Sequence, residues 1–230
     1  MADPLRALGK PKSVIEFLPG LEISPPPASV PEANQVFVLG RAEDWELKGL
    51  DIAARALAKL LASNTLVLSP KPVLVIRGAP QGTGDALKEK LMADTQIGAN
   101  YLHIREFSTD VNVVQRDMRS SALVLLPSRT EGFGLAALEA IAIGIPVLVS
   151  DQAGLAETLH KFAPEHAKNC VVPTTTEREM DATTWERQIE FVLRDKPAAF
   201  ARAEDLRQTL ASQLSWQGAI RSLFESMGTN

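Results

Sequence analysis

Disulfides have no place in this 230-residue chain, because it holds one cysteine, Cys170. A single thiol cannot staple the fold to itself, and its solitude fits a reducing compartment. Cys170 opens a Cys-Val-Val-Pro strand after a helical segment, so a buried structural thiol is expected there rather than a nucleophile. No apolar run reaches the roughly 18 residues that a membrane-spanning helix requires. Met1 to Arg6 lack the apolar core of a secretory signal, and a cytoplasmic protein without a membrane span is expected. An excess of positive charge is also missing. The net charge is −4 and the sequence pI about 5.5, which argues against nucleic acid or an anionic membrane as a partner. The three histidines, His103, His160 and His166, show no metal-ligand spacing with Cys170 or with carboxylates, so no metal is expected. Gly82-Thr83-Gly84 lacks the Gly-Lys-Ser/Thr of a P-loop and the Gly-x-Gly-x-x-Gly of dinucleotide folds, and reads as a flexible turn.

What is present is ordinary globular chemistry, 45% hydrophobic and 23% charged, in a length suited to one sizeable domain. Residues 1–33 stand apart. A short apolar segment, Val14 to Leu18, precedes Pro19-Gly20, Pro25-Pro26-Pro27 and Pro31, a proline density that reads as a linker with one edge strand. Residues 34–230 read as the folded domain, in which strands and helices alternate. Apolar strands are expected at Val36 to Leu39, Val73 to Ile76, Tyr101 to Ile104, Ala122 to Leu126, Val147 to Val149 and Cys170 to Val172. Helical spacing marks Gly49 to Ala62, Asp85 to Ala99 and Asn112 to Ser120. It also marks a tail with Trp185, Ile189, Val192 and Leu193, then Trp216, Ile220, Leu223, Phe224 and Met227. Strands apolar on both faces belong in a parallel sheet covered by helices. The fold class is therefore α/β, a Rossmann-like doubly wound sheet of about six strands with a helical C-terminal tail. In the order 3-2-1-4-5-6, winding reverses between strands 1 and 4, and ligands bind outside the carboxyl ends of strands at such a point. The loops concerned are Gly40 to Lys48 and Pro127 to Gly134.

The second of these loops opens a dense block: Pro127-Ser128-Arg129-Thr130-Glu131-Gly132-Phe133-Gly134-Leu135-Ala136-Ala137-Leu138-Glu139-Ala140, then Gly144 to Ser150. Two carboxylates, Glu131 and Glu139, stand eight positions apart across a loop-to-helix junction. Gly132 and Gly134 suit a sharp turn there, because glycine tolerates φ > 0. A helix starting near Gly134 aims the N–H groups of Phe133 to Ala136 into the cleft, where they and the helix dipole form an anion site. A plainer reading leaves Glu131 as an acidic residue favoured by the helix dipole and Glu139 on a solvated face.

This block closely resembles the Glu-x7-Glu region of retaining, GT-B type glycosyltransferases of the group 1 (family 4) class. The resemblance implies a donor nucleotide-sugar site, with Glu131 on the sugar hydroxyls and Glu139 on the ribose. Gly40-Arg41, followed by Lys48-Gly49 after an acidic stretch, is similar to the family's Gly-Arg…Lys-Gly segment. By that likeness Arg41 and Lys48 grip the diphosphate, and fixed cations there stabilise a departing nucleoside diphosphate. A solvated loop with Arg41 paired to Glu43 or Asp44 is the alternative. Glu131, Arg41 and Lys48 are the implied catalytic residues. Gly40, Gly132, Phe133, Gly134, Leu135 and Glu139 complete the implied binding set, and His103 to Phe107 border the base. Ser150 to Glu157 matches a third segment, except that Ala153 replaces the first of two usual glycines. No Asp-x-Asp pair of metal-dependent glycosyltransferases is present, so the resemblance implies a metal-independent enzyme. Its substrate would be a UDP- or GDP-linked sugar, with no cofactor besides. The likeness covers roughly residues 35–225, the C-terminal half of a GT-B fold. It therefore implies an N-terminal acceptor domain, in a longer chain or a partner subunit, without which this polypeptide is expected to be inactive. A stand-alone nucleotide-sugar-binding or sensor module is the other reading. The stripe from Trp216 to Met227 is core or interface, and as interface it implies a homo-oligomer or a partner-domain contact.

Overall fold

A computed structural model of the protein describes residues 18–63 and 68–226. Six strands carry the frame: β1 (Gln35–Leu39), β2 (Val73–Ala79), β3 (Leu102–Glu106), β4 (Leu123–Leu126), β5 (Val147–Ser150) and β6 (Val171–Val172). They form one sheet in the order β3-β2-β1-β4-β5-β6. All pairings are parallel, and Phe37 stands in register between Val75 and Val124. Because side chains alternate across a strand, each strand feeds two separate cores. Val36, Val38, Leu74, Ile76, Leu123, Leu125 and Leu148 point to one face. Phe37, Val75, Val124, Leu126, Val147 and Val149 point to the other.

Helices cover both faces. On the first lie α1 (Leu50–Ala62), α2 (Gly84–Thr95) and α7 (Arg178–Arg194). Trp185 of α7 is wholly buried there and its Nε1 donates to Thr174 Oγ1 at 3.2 Å. On the second face lie α3 (Val111–Arg119), α4 (Leu135–Ala142), α5 (Gly154–Phe162), α6 (Pro164–Cys170) and α8 (Lys196–Gln213). The last described helix is α9 (Trp216–Ser226), which exposes Trp216, Ile220 and Phe224. Met227, the end of the stripe read from sequence, lies outside the described residues. No helix among the described residues is long and apolar enough to cross a membrane.

The structure corrects three local expectations. The helix read as Asp85 to Ala99 stops at Thr95, because Gln96 turns into the left-handed region at φ 62°. Cys170 does not open a strand; it is the last residue of α6, where its Sγ donates to His166 O at 3.1 Å. Burial pushes its thiol up to about 12, which keeps it protonated and unreactive. Finally, residues 18–33 contain no strand. Val14 to Phe17, most of the segment read as an edge strand, lie outside the described residues. Residues 18–33 instead strap the second face. Leu21 N donates to Leu214 O at 2.9 Å and Ser24 N to Ala142 O at 3.0 Å. Lys196 Nζ donates to Pro31 O and Glu32 O, each at 2.7 Å.

Candidate functional site

The two strands at the winding reversal, β1 and β4, are neighbours, so the loops that follow them meet at the carboxyl edge of the sheet. After β1, Gly40 N donates to Arg77 O at 3.1 Å, and a 3-10 turn occupies Ala42–Asp44. Lys48 N then donates to Asp44 O at 2.8 Å, and Gly49 caps α1. Gly49 adopts φ 66°, and a Cβ there would lie 1.9 Å from Pro127 O, so the backbones of the two loops touch. No side chain fits between them.

After β4 the chain makes a one-residue parallel bridge between Glu131 and Ala153, then turns into α4 at Gly134. Gly134 takes φ 103°, as the turn reading requires, whereas Gly132 has no positive φ and a Cβ there would meet nothing within 4 Å. Of the two glycines only Gly134 is conformationally required. Ala153 sits at φ −108°, ordinary for any residue, so its departure from the family pattern costs nothing.

Lys48 Nζ lies 2.7 Å from Glu131 Oε2, with the two side chains 21% and 18% exposed. Ser128 Oγ approaches the same carboxylate oxygen at 3.4 Å. Arg41 does not join this pair: its side chain is 75% exposed and pairs with Asp44 at 3.3 Å. The pairing read as the alternative is thus the one present. Such exposed pairs are worth little, so Arg41 is free to exchange Asp44 for an incoming anion.

Two adjoining cavities share Leu39, Gly40 and Arg41. One, of about 330 Å³, is lined by Lys48, Glu131, Phe133, Gly134 and the opening residues of α4, Leu135 and Ala136. The other, of about 430 Å³, is lined by Phe107, Val114, Met118, Glu139 and Ile143. Together they make one cleft with a charged end and a wider, mostly apolar end. Glu139 touches solvent, yet enough protein surrounds it that desolvation raises its carboxyl above the usual carboxylate range. Phe107 borders the cleft as expected, but His103 does not; it lines a hollow beside Gly82 and Lys88.

One residue of the site escaped the sequence reading. Arg129 donates through Nη1 and Nη2 to the two oxygens of Asp51, at 2.7 and 2.8 Å, and through Nη1 to Glu46 O at 2.5 Å. Its own N–H donates to Leu47 O at 2.9 Å. The hydrogen bond to Asp51 raises the guanidinium pKa above the usual arginine value. Asp51 and Arg129 lie 78 positions apart, and no local signal joins them.

A parallel sheet of this order, helices on both faces and a cleft at the carboxyl ends of its central strands define a Rossmann-like domain of the kind found in GT-B glycosyltransferases. The chain belongs to the family described as family 4 glycosyltransferase in conflict systems, which matches residues 2–223. It is 37% identical over 142 residues to the D-inositol 3-phosphate glycosyltransferase of Jonesia denitrificans, covering 59% of this chain and 32% of that one. Its fold is similar to that of a mutant of S. aureus TarM crystallised with fondaparinux, alpha-GlcNAc-glycerol and UDP. The TM-score is 0.72 at 15% identity, over 98% of this chain and 42% of that one. It is also similar to the C-terminal domain of LpcC, a glycosyl transferase group 1 family protein from Francisella tularensis, with a TM-score of 0.59 at 18% identity. That match covers 81% of this chain and 89% of the other. The chain spans about a third of the length of the curated relative, 32%. It is a glycosyltransferase domain of family 4.

Proposed function

We propose that this domain binds the donor nucleotide sugar of a retaining, metal-independent glycosyltransferase, with a UDP- or GDP-linked hexose as substrate. One observation carries the reading: Arg41, Lys48, Glu131 and Glu139 all line a single cleft at the winding reversal of the sheet. Arg41 stands where the two cavities join, the natural place for the diphosphate, and Lys48 and the N–H groups that open α4 lie beside it. Those groups supply the positive charge that a departing nucleoside diphosphate requires, and on this reading they do so without a metal ion. Glu131, at the charged end, accepts from the sugar hydroxyls. Glu139, in the wider cavity, accepts from the ribose diol, with Phe107 against the base. TarM was crystallised with UDP, which supports the nucleotide assignment by likeness of fold.

Transfer would require an acceptor domain, from a longer polypeptide or a partner subunit, closing over this edge. The exposed stripe of Trp216, Ile220 and Phe224 on α9 supports a partner surface, whether that partner is the acceptor domain or a second copy. The test is a thermal-shift panel of UDP-, GDP- and ADP-sugars. A ligand raises the apparent stability by RT ln(1 + [L]/Kd). One nucleotide series should raise the melting temperature of the wild-type chain, and Lys48→Ala should reduce the rise at the same ligand concentration. No shift with any of the three refutes the reading.

A further inference from the structure

The two loops of the cleft are joined by one side chain that lines neither cavity. Arg129 reaches across from the loop after β4 and grips the loop after β1 on both sides of Lys48. On one side Glu46 O accepts from the guanidinium and Leu47 O from the backbone N–H of Arg129, and on the other both oxygens of Asp51 accept from the guanidinium. Two positions after Arg129 comes Glu131, whose Oε2 meets Lys48 Nζ at 2.7 Å. We propose that Arg129, held by Asp51, is a positioning residue that sets Lys48 against Glu131 and so fixes the diphosphate and sugar subsites relative to each other. The proposal rests on the reading of the cleft as a nucleotide-sugar site.

Burial alone would not explain this pair. Asp51 is 1% exposed and the Arg129 side chain 19%. Taking both charges out of water offsets most of their attraction, and an apolar pair of the same size would hold the loops as firmly. What an arginine–carboxylate fork adds is direction, because two parallel N–H···O bonds fix distance and angle together. Asp51 is itself anchored in the first turn of α1, where the helix dipole favours an anion. The contact with Glu46 O extends the same guanidinium to the residue that begins the turn into Lys48. A lysine at position 129 would keep the charge but not the fork.

Calorimetry with UDP and GDP on the wild type, Arg129→Lys, Lys48→Ala and the double variant tests the idea. Arg129→Lys should weaken the nucleotide that binds the wild type roughly tenfold, the scale of coupling between contacting groups. In the Lys48→Ala background the same change should alter Kd by less than about twofold, since the group being positioned is gone. A purely structural residue would give equal losses in both backgrounds, and that result overturns the proposal. Amide hydrogen exchange supplies an arm that needs no ligand. Residues 46–49 should exchange at least about tenfold faster in Arg129→Lys, while β1 and β4 stay protected. Unchanged exchange at 46–49 also overturns it. A wild type that binds neither nucleotide removes the donor-site reading, and the exchange arm then judges the clamp alone.

Discussion

Lys48 Nζ and Glu131 Oε2, 83 positions apart in sequence, meet at 2.7 Å and neutralise one another inside the cleft. The cation assigned to the diphosphate and the carboxylate assigned to the sugar are therefore coupled. On the proposed reading, a phosphate that draws Lys48 away would leave Glu131 without this partner and open to hydroxyl donors.

That coupling makes Glu131→Gln informative. With its partner neutralised, Lys48 should bind pyrophosphate more tightly, by about 0.5–1 kcal/mol, the upper part of the range for a partly exposed pair. The same variant should bind the matching sugar nucleotide about 1.5–3 kcal/mol more weakly, for a lost hydrogen bond to a charged group. Titration calorimetry with both ligands reads the opposite signs. Equal weakening of both would mean that Glu131 does not serve the sugar.

Arg41→Ala and Lys48→Ala should each weaken UDP or GDP and their sugar conjugates alike, by about 1.5–3 kcal/mol. Their effects on stability should differ. Arg41 is exposed and, among the described residues, pairs with Asp44, so its loss should leave the melting temperature nearly unchanged. Loss of Lys48 strips a partner from Glu131 and should lower it. Differential scanning calorimetry beside the binding assay separates the two roles.

Glu139 predicts a pH dependence. Desolvation raises its carboxyl above the unfolded value, so the folded protein binds the proton more tightly than the unfolded chain does. Stability from this group is present at low pH and is lost as pH rises through the raised value. Glu139→Gln should accordingly melt higher than the wild type at neutral pH, with a gap that closes in acid. Nucleotide binding should show the reverse, because only the ionised carboxylate accepts from both hydroxyls of a ribose. A melting-temperature gap independent of pH would disprove the assignment of the shift.

The strap of residues 18–33 should matter to stability although none of its residues lines the cleft. Leu21 is 8% exposed and its N–H is bonded to Leu214. Leu21→Ala should cost about 2–3 kcal/mol. At roughly 2–4 °C per kcal/mol for a chain of this size, the loss is readily seen by calorimetry. An unchanged melting temperature would return the segment to the status of a passive linker.

The framework was legible in the sequence because burial on both faces leaves strands such as Leu123–Leu126 uniformly apolar. Parallel strands with helical crossovers then leave few orders to choose from. Arg41, Lys48, Glu131 and Glu139 were singled out by likeness to the family's motifs, and each lines one or both of two adjoining cavities. What each side chain does there was not legible. Lys48 with Glu131, and Arg129 with Asp51, are partners across 83 and 78 positions, and only the assembled sheet, with β1 beside β4, brings them together. Gly132 and Gly134 are indistinguishable by composition, and the difference lies in which one sits at the bend. The end of α2 at Gln96 was missed because a left-handed residue other than glycine leaves no compositional mark.

The seam between Gly49 and Pro127 leaves no room for a methyl group. Two backbones in such contact cannot approach further, so the cleft cannot tighten by drawing these two loops together, and this half of it serves as an anvil. Adaptation to different ligands falls to the side chains that rotate over it, Arg41 above all. In the proposed enzyme, a closing stroke would have to come from the acceptor domain.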